Sequence, residues 1–305
     1  MEYVKSLLFL ESKMLLMILA GILATKVKII TQEGQKCLTD LVIDIIFPCY
    51  IIACFLKNTE MNFTGEFLQI TLLSIAMQLL TILLSRVLYR RIAKAQRTIL
   101  QYATIVSNSG FLGFPLVGSV FGATGMLYAS IFLIFQRINN FSVGISYFTY
   151  SDKKSIVKKV LLHPCILSTI IGVIIMLLHI QIPELLGETI NTIGACSTPL
   201  SMILIGVVLS DVRIRSLYDK LIGYYSLIRL VAIPGVVFVL CLIFKISPLV
   251  SGVAVLLSGM PAGTLSAMLG SKYGADAVFA GRLIVFTTAV SLATIPLWCI
   301  LTALI

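Results

Sequence analysis

Residues 108–116 read NSGFLGFPL, inside a stretch from Leu100 to Tyr128 that is otherwise apolar enough to lie in lipid. A straight membrane helix would carry leucines where this one carries Asn108, Ser109, two glycines and Pro115. Proline within a helix removes a backbone donor and clashes with the carbonyl four residues earlier. In lipid each freed backbone group is costly unless protein or cavity water satisfies it. A break at this depth therefore predicts either burial in protein or a cavity wall.

Working outward, the composition gives the class. The chain has 305 residues, 59% of them hydrophobic and 12% charged, with a mean hydropathy of +1.05. This is the profile of an all-α integral membrane protein, not of a soluble domain with about a quarter of its residues charged. At about 20 residues per crossing the length allows about ten spans. Apolar runs place them near 4–25, 38–56, 66–86, 99–121, 125–148, 162–179, 189–209, 222–244, 248–271 and 277–303. The opening MEYVKSLLFLESKMLL holds Glu11 and Lys13 and lacks a small-residue cleavage site, so it reads as the first span, not a removable signal peptide.

With loops alternating sides, sixteen Lys and Arg residues fall on one side and four on the other. The basic side carries Arg86 to Arg97 and Lys153 to Lys159; the other has only Lys5, Lys13, Lys57 and Lys245. The positive-inside rule then puts both termini outside the cytoplasm, in a multi-pass protein of the cytoplasmic membrane. Topology accounts for the net charge of +10, so no nucleic-acid partner is inferred. The seven cysteines form no CxxC pair, and His163 and His179 stand at opposite ends of one span. Neither disulfides nor a metal site is expected, and no cofactor beyond a coupling H⁺ or Na⁺.

The longest charged break, YSDKKSIVKKVLLHP at 150–164, leaves five spans on each side. An odd number per half makes the halves insert in opposite directions, so similarity between them marks an inverted repeat. They do echo one another. Pro48 in the second span answers Pro199 in the seventh; Pro115 with Gly118 answers Pro261 with Gly263; Gly122-Ala-Thr answers Gly274-Ala-Asp276. The expected organisation is a first repeat at 1–149, a short basic cytoplasmic linker at 150–161 and a second repeat at 162–305.

Paired, glycine-rich, proline-broken segments are the best sequence pointer to a midplane substrate site. Half-helix N-termini present unpaired N–H groups and partial positive charge, which suits an anion. The candidate substrate-binding residues are Asn108, Ser109, Gly113 and Pro115 at the first break, and Ser258, Pro261, Gly263 and Thr264 at the second. Asn140, beside Asn139, is a further candidate for the cavity wall or for interhelical hydrogen bonding. Charged groups inside spans are functional candidates by default. Asp44, one turn before Pro48, is the first candidate for ion or proton coupling. Arg137 and Arg229 read either as partners of a substrate carboxylate or as structural partners of an acid or of broken-helix carbonyls. Asp40 and Arg282 lie near span ends.

The run Asn108-x4-Gly113-x-Pro115, with Gly118 and Gly122, resembles the fourth-span motif of the auxin efflux carrier family, which includes bacterial malate and malonate permeases. Met260-Pro261-Ala262-Gly263 with Lys272-Tyr273-Gly274 resembles its ninth-span counterpart, and Ser291-Leu-Ala-Thr294-Ile-Pro296-Leu its last span. The resemblance covers essentially the whole chain. It implies ten transmembrane helices as two inverted five-helix repeats with crossing broken helices 4 and 9, similar to Na⁺/H⁺ antiporter and bile-acid symporter folds. It also implies an elevator-type movement, crossover at Pro115 and Pro261, a substrate carboxylate on Asn108, and a homodimer. The short basic segment after the fifth span fits bacterial-type carriers. Where members often place an asparagine just after the second crossover, this chain has Ala262, Gly263 and Thr264.

The leading function is therefore transport of small organic anions, not catalysis. A cation/proton antiporter would want carboxylates at the crossover, and 105–120 and 256–268 contain none. An intramembrane aspartyl protease needs two facing carboxylates on separate helices, whereas Asp40 and Asp44 lie one turn apart on one. No GxxxxGK[ST] run supports ATP drive. A receptor or channel stays open at this level.

Overall fold

The computed structural model describes residues 2–57, 64–144, 146–148, 157–158, 161–210 and 218–304. Most of the 150–161 linker, and also Arg213 and Arg215, lie outside the described residues. The first half contains α1 (Glu2–Lys26), α2 (Gln32–Leu41), α3 (Phe47–Leu56), α4 (Thr64–Leu88), α5 (Lys94–Ile105) and α6 (Phe114–Asn139). The second contains α7 (Pro164–Leu177), α8 (Glu184–Ala195), α9 (Ser197–Ser210), α10 (Lys220–Leu227), α11 (Ile233–Ile243), α12 (Pro248–Ser258), α13 (Leu265–Lys272) and α14 (Ala277–Thr302). Among the described residues six helical stretches are long and apolar enough to cross a membrane: Gln32–Leu56, Gly65–Leu88, Ser109–Gly144, Glu184–Ser210, Lys220–Ile243 and Ala277–Thr302. Pro164–Leu177 and Pro248–Ser258 are shorter apolar helices.

The described elements fall within a few residues of the apolar runs, with two expected spans split. The run at 99–121 divides between α5 and α6, and that at 248–271 between α12 and α13. Proline explains a recurring local device. Three π-turns, Val42–Ile46, Ser109–Gly113 and Ile228–Ala232, each run directly into a helix with proline in its first turn: Pro48, Pro115 and Pro234. The ring removes one N–H and crowds the carbonyl behind it, so the preceding residue bonds one position further back. Phe47, Phe114 and Ile233 donate to the carbonyls of Val42, Ser109 and Ile228. At these prolines the helix widens and continues.

Positive-φ glycines are found at Gly122 (φ 66°) and Gly274 (φ 70°), the positions matched by the internal echo. Gly122 breaks α6 into two arms, and Gly274 lies in the turn between α13 and α14. Elsewhere glycine permits close approach. α1 and α9 cross so tightly that a Cβ on Gly21 would run into the Ile203 carbonyl, and one on Gly206 into that of Ile18. Polar side chains tie α4 to α6. Ser74 Oγ donates to the Phe132 carbonyl at 2.7 Å, Asn139 Nδ2 donates to Gln78 Oε1 at 3.0 Å, and Tyr128 O–H donates to Glu66. In an apolar surround such bonds orient one helix on the next.

Candidate functional site

The two split spans meet. After α5, Val106 leaves helical geometry (φ −113°, ψ 97°). The next two residues run antiparallel to the segment following α12. Ser107 and Ala262 form an isolated β-bridge, and the Asn108 N–H donates to the Pro261 carbonyl at 2.8 Å. Gly263 makes this approach possible, since a Cβ there would stand 2.7 Å from the Val106 carbonyl oxygen. The backbone groups freed by the breaks are satisfied within the protein. Ser109 Oγ donates to the Leu257 carbonyl at 3.0 Å, and the Ala262 N–H donates to Thr287 Oγ1 at 3.2 Å.

Arg229, fully buried at 0% exposure, reaches both segments. Its Nε donates to the Met260 carbonyl at 2.9 Å and its Nη1 to the Thr104 carbonyl at 3.2 Å. Of the two readings open for this arginine, the geometry is that of a partner to broken-helix carbonyls. The crossing itself differs from the family expectation. It sits at Ser107 and Asn108, whereas Pro115 is buried in the first turn of α6, after a π-turn begun by Leu112 and Gly113 N–H groups donating to the Asn108 carbonyl. Tertiary pairing with the other half, not the proline, sets where the chain opens.

Beside the crossing lies a cavity of about 110 Å³, well below the roughly 300–1,000 Å³ of sites for drug-sized ligands. The crossing contributes Ser107, Asn108, Gly110, Gly263 and Thr264; the end of α6 and the turn after it contribute Gln136, Arg137 and Asn140. Ile43 and Phe47 form one wall, and His163 and Cys165, at the start of α7, another. Gln136 Nε2 donates to the Ser107 carbonyl at 2.9 Å, and Tyr102 O–H to Asn140 Oδ1 at 2.7 Å. Three buried polar atoms of the lining have no protein partner: the donors Asn108 Nδ2 and Arg137 Nη1, and the acceptor Gln136 Oε1. Among the described residues no aspartate or glutamate lines the cavity.

Of the residues expected from sequence, Asn108, Asn140, Gly263, Thr264 and Arg137 meet at this cavity. Ser109, Gly113, Pro115, Ser258 and Pro261 are buried around the crossing without lining it; the Ser258 hydroxyl donates to the Val255 carbonyl. Asp44 is exposed, in the π-turn next to Ile43, and does not line the cavity either. Ser107, Gln136, His163 and Cys165 were not anticipated. Gln136 carried a signal, being a polar residue beside Arg137 in the apolar fifth span. His163 and Cys165 carried none, since only the fold brings α7 here. Among the described residues no group of three or more His, Cys, Asp or Glu is placed to hold a metal ion.

Comparison with known proteins agrees with this architecture. A family model described as "Membrane transport protein" matches residues 11–158 and 148–299. An uncharacterized transporter of Methanocaldococcus jannaschii is 27% identical over 295 residues, 93% of this chain and 95% of that protein. An uncharacterized transporter of Methanothermobacter thermautotrophicus is 24% identical over 289 residues, 93% and 94% of the two chains. A Rhizobium meliloti protein named "Putative malonate transporter" is 26% identical over 216 residues, 68% of this chain and 67% of that one. With the family matched over nearly its full length, this multi-pass chain belongs to the membrane transport protein family, that of the auxin efflux carriers.

Proposed function

We propose that the chain is a secondary transporter of small organic anions, mono- or dicarboxylates, working by elevator-type alternating access across the cytoplasmic membrane. One observation carries this reading. The cavity at the crossing holds two buried donors without partners, Asn108 Nδ2 and Arg137 Nη1, and no carboxylate lines it. An unpaired buried donor is costly, and a hydrogen bond to a charged group contributes about 1.5–3 kcal/mol net. A carboxylate bound at the crossing supplies that partner to Asn108. The name of the Rhizobium meliloti relative points to the same substrate class.

The supporting frame is two inverted five-helix repeats, at 1–149 and 162–305, for which the matched left-handed glycines Gly122 and Gly274 speak. Arg137 and His163 stand close in sequence to the basic 150–161 segment, so on the positive-inside rule the cavity opens toward the cytoplasm. A negative-inside potential, worth about 2.3 kcal/mol per charge per 100 mV, can drive anion export unaided. Uptake needs proton or sodium symport, with Asp44 as the first coupling residue to test. A homodimer is the assembly proposed from the family. Export and uptake are separated by assaying counterflow and net flux in proteoliposomes at controlled potential.

Asn108→Ala removes the amide donor while leaving the main-chain bond to Pro261. Its transport of carboxylates should fall at least tenfold with normal membrane insertion. Full activity in that variant would falsify the site.

A further inference from the structure

Arg137 differs from the other arginine inside the spans that faces the crossing. Arg229 places two of its nitrogens on backbone carbonyls, and its third, Nη2, is buried without a partner away from the cavity lining. Arg137 lies half-buried in the cavity wall, with Nη1 buried and without a protein partner. It stands beside the start of α7, within hydrogen-bonding reach of the Cys165 thiol and electrostatic reach of His163, with Nη1 left over. Asp44 also acts on Cys165, yet no ion pair forms between Asp44 and Arg137 among the described residues. A guanidinium offers a planar fork of donors matched to a carboxylate, and here part of that fork is unspent.

We infer that Arg137 forms a second anionic subsite, distinct from the donors of the crossing, and that it selects substrates carrying two carboxylates over those carrying one. This rests on the transport reading given above. One carboxylate sits against Asn108 at the crossing, and the second against Arg137 on α6. A monocarboxylate fills the first and leaves the buried Nη1 of the arginine without an acceptor, which is penalised. The small volume limits the substrate to short acids.

The test uses the full chain in proteoliposomes with radiolabelled malonate and pyruvate, both three-carbon acids, the first with two carboxylates and the second with one carboxylate beside a ketone. The readout is the ratio of malonate to pyruvate uptake, which is insensitive to the amount of folded protein. Wild type should favour malonate by about tenfold or more. Arg137→Gln should lower the ratio about tenfold, and Arg137→Lys should restore part of it. An unchanged ratio in Arg137→Gln overturns the second subsite and leaves the anion site standing. A wild type that carries neither acid overturns the transport reading and the subsite with it. Should Arg137→Gln fail to insert, thermal shifts of the wild-type protein decide, and equal shifts with malonate and pyruvate overturn the proposal.

Discussion

Among the described residues Arg229 is the largest fully buried side chain, and its hydrogen bonds go to main-chain oxygens. The carbonyls of Thr104 and Met260 stand on opposite halves of the crossing, where helix geometry has been given up and lipid offers no donor. Replacing Arg229 by methionine keeps bulk and strands both oxygens, at about 1–3 kcal/mol each. The apparent melting temperature of purified Arg229→Met should drop clearly. Lysine, a single point charge in place of a fork, should recover less than half of the loss. A variant as stable as wild type would mean the bridge contributes nothing. In sequence the two arginines looked alike, each a cation too deep to be a topology anchor. Their separation needed the fold, because only the crossing decides which guanidinium is spent on main-chain carbonyls and which lines a cavity.

At the scale of elements, the chain uses two kinds of discontinuity. Pro48, Pro115 and Pro234 widen helices that continue, whereas Val106–Asn108 and Met260–Gly263 end them. Sequence reading located the broken segments and their polar residues. It misplaced the first crossing by seven residues, taking Pro115 for Asn108, because proline marks where a helix lacks a donor and not where a partner strand supplies one. Glycine adds a graded set of predictions. At Gly122 and Gly274 a Cβ would touch nothing within 4 Å, so Gly122→Ala or Gly274→Ala should cost only the positive-φ backbone strain, about 1–3 kcal/mol. Gly263→Ala meets the Val106 carbonyl and should push the crossing apart. Thermal unfolding together with malonate uptake distinguishes them. The first two should lose stability with transport largely kept, and the third should lose transport.

For the whole molecule, hydropathy made the membrane class and the approximate span positions legible, as α4 at Thr64–Leu88 against the expected 66–86 illustrates. Contacts between distant spans were not legible, since a periodic apolar pattern does not say which helix lies beside which. The α1 and α9 glycine contact and the arrival of α7 at the cavity are of this kind. Orientation is the global expectation most open to a direct check. Cys37 is exposed, in α2 beside the basic residues Lys26, Lys28 and Lys36. A membrane-impermeant maleimide should label it in inside-out vesicles and spare it in intact cells. Labelling from the outside would invert the topology, and with it the side to which the cavity opens.

The bond from the Asn108 N–H to the Pro261 carbonyl joins segments more than 150 residues apart using main-chain atoms alone. Loss of a side chain at either end leaves such a link in place; only proline at position 108, which removes the donor, or bulk at Gly263, which crowds the Val106 carbonyl, acts on it directly. The side chains at 108, 136 and 137, which face the cavity, are therefore free to change without parting the two halves. The cavity lining and the joint between the halves therefore rest on different atoms, so the chemistry of the one can be altered by point mutation while the other is kept.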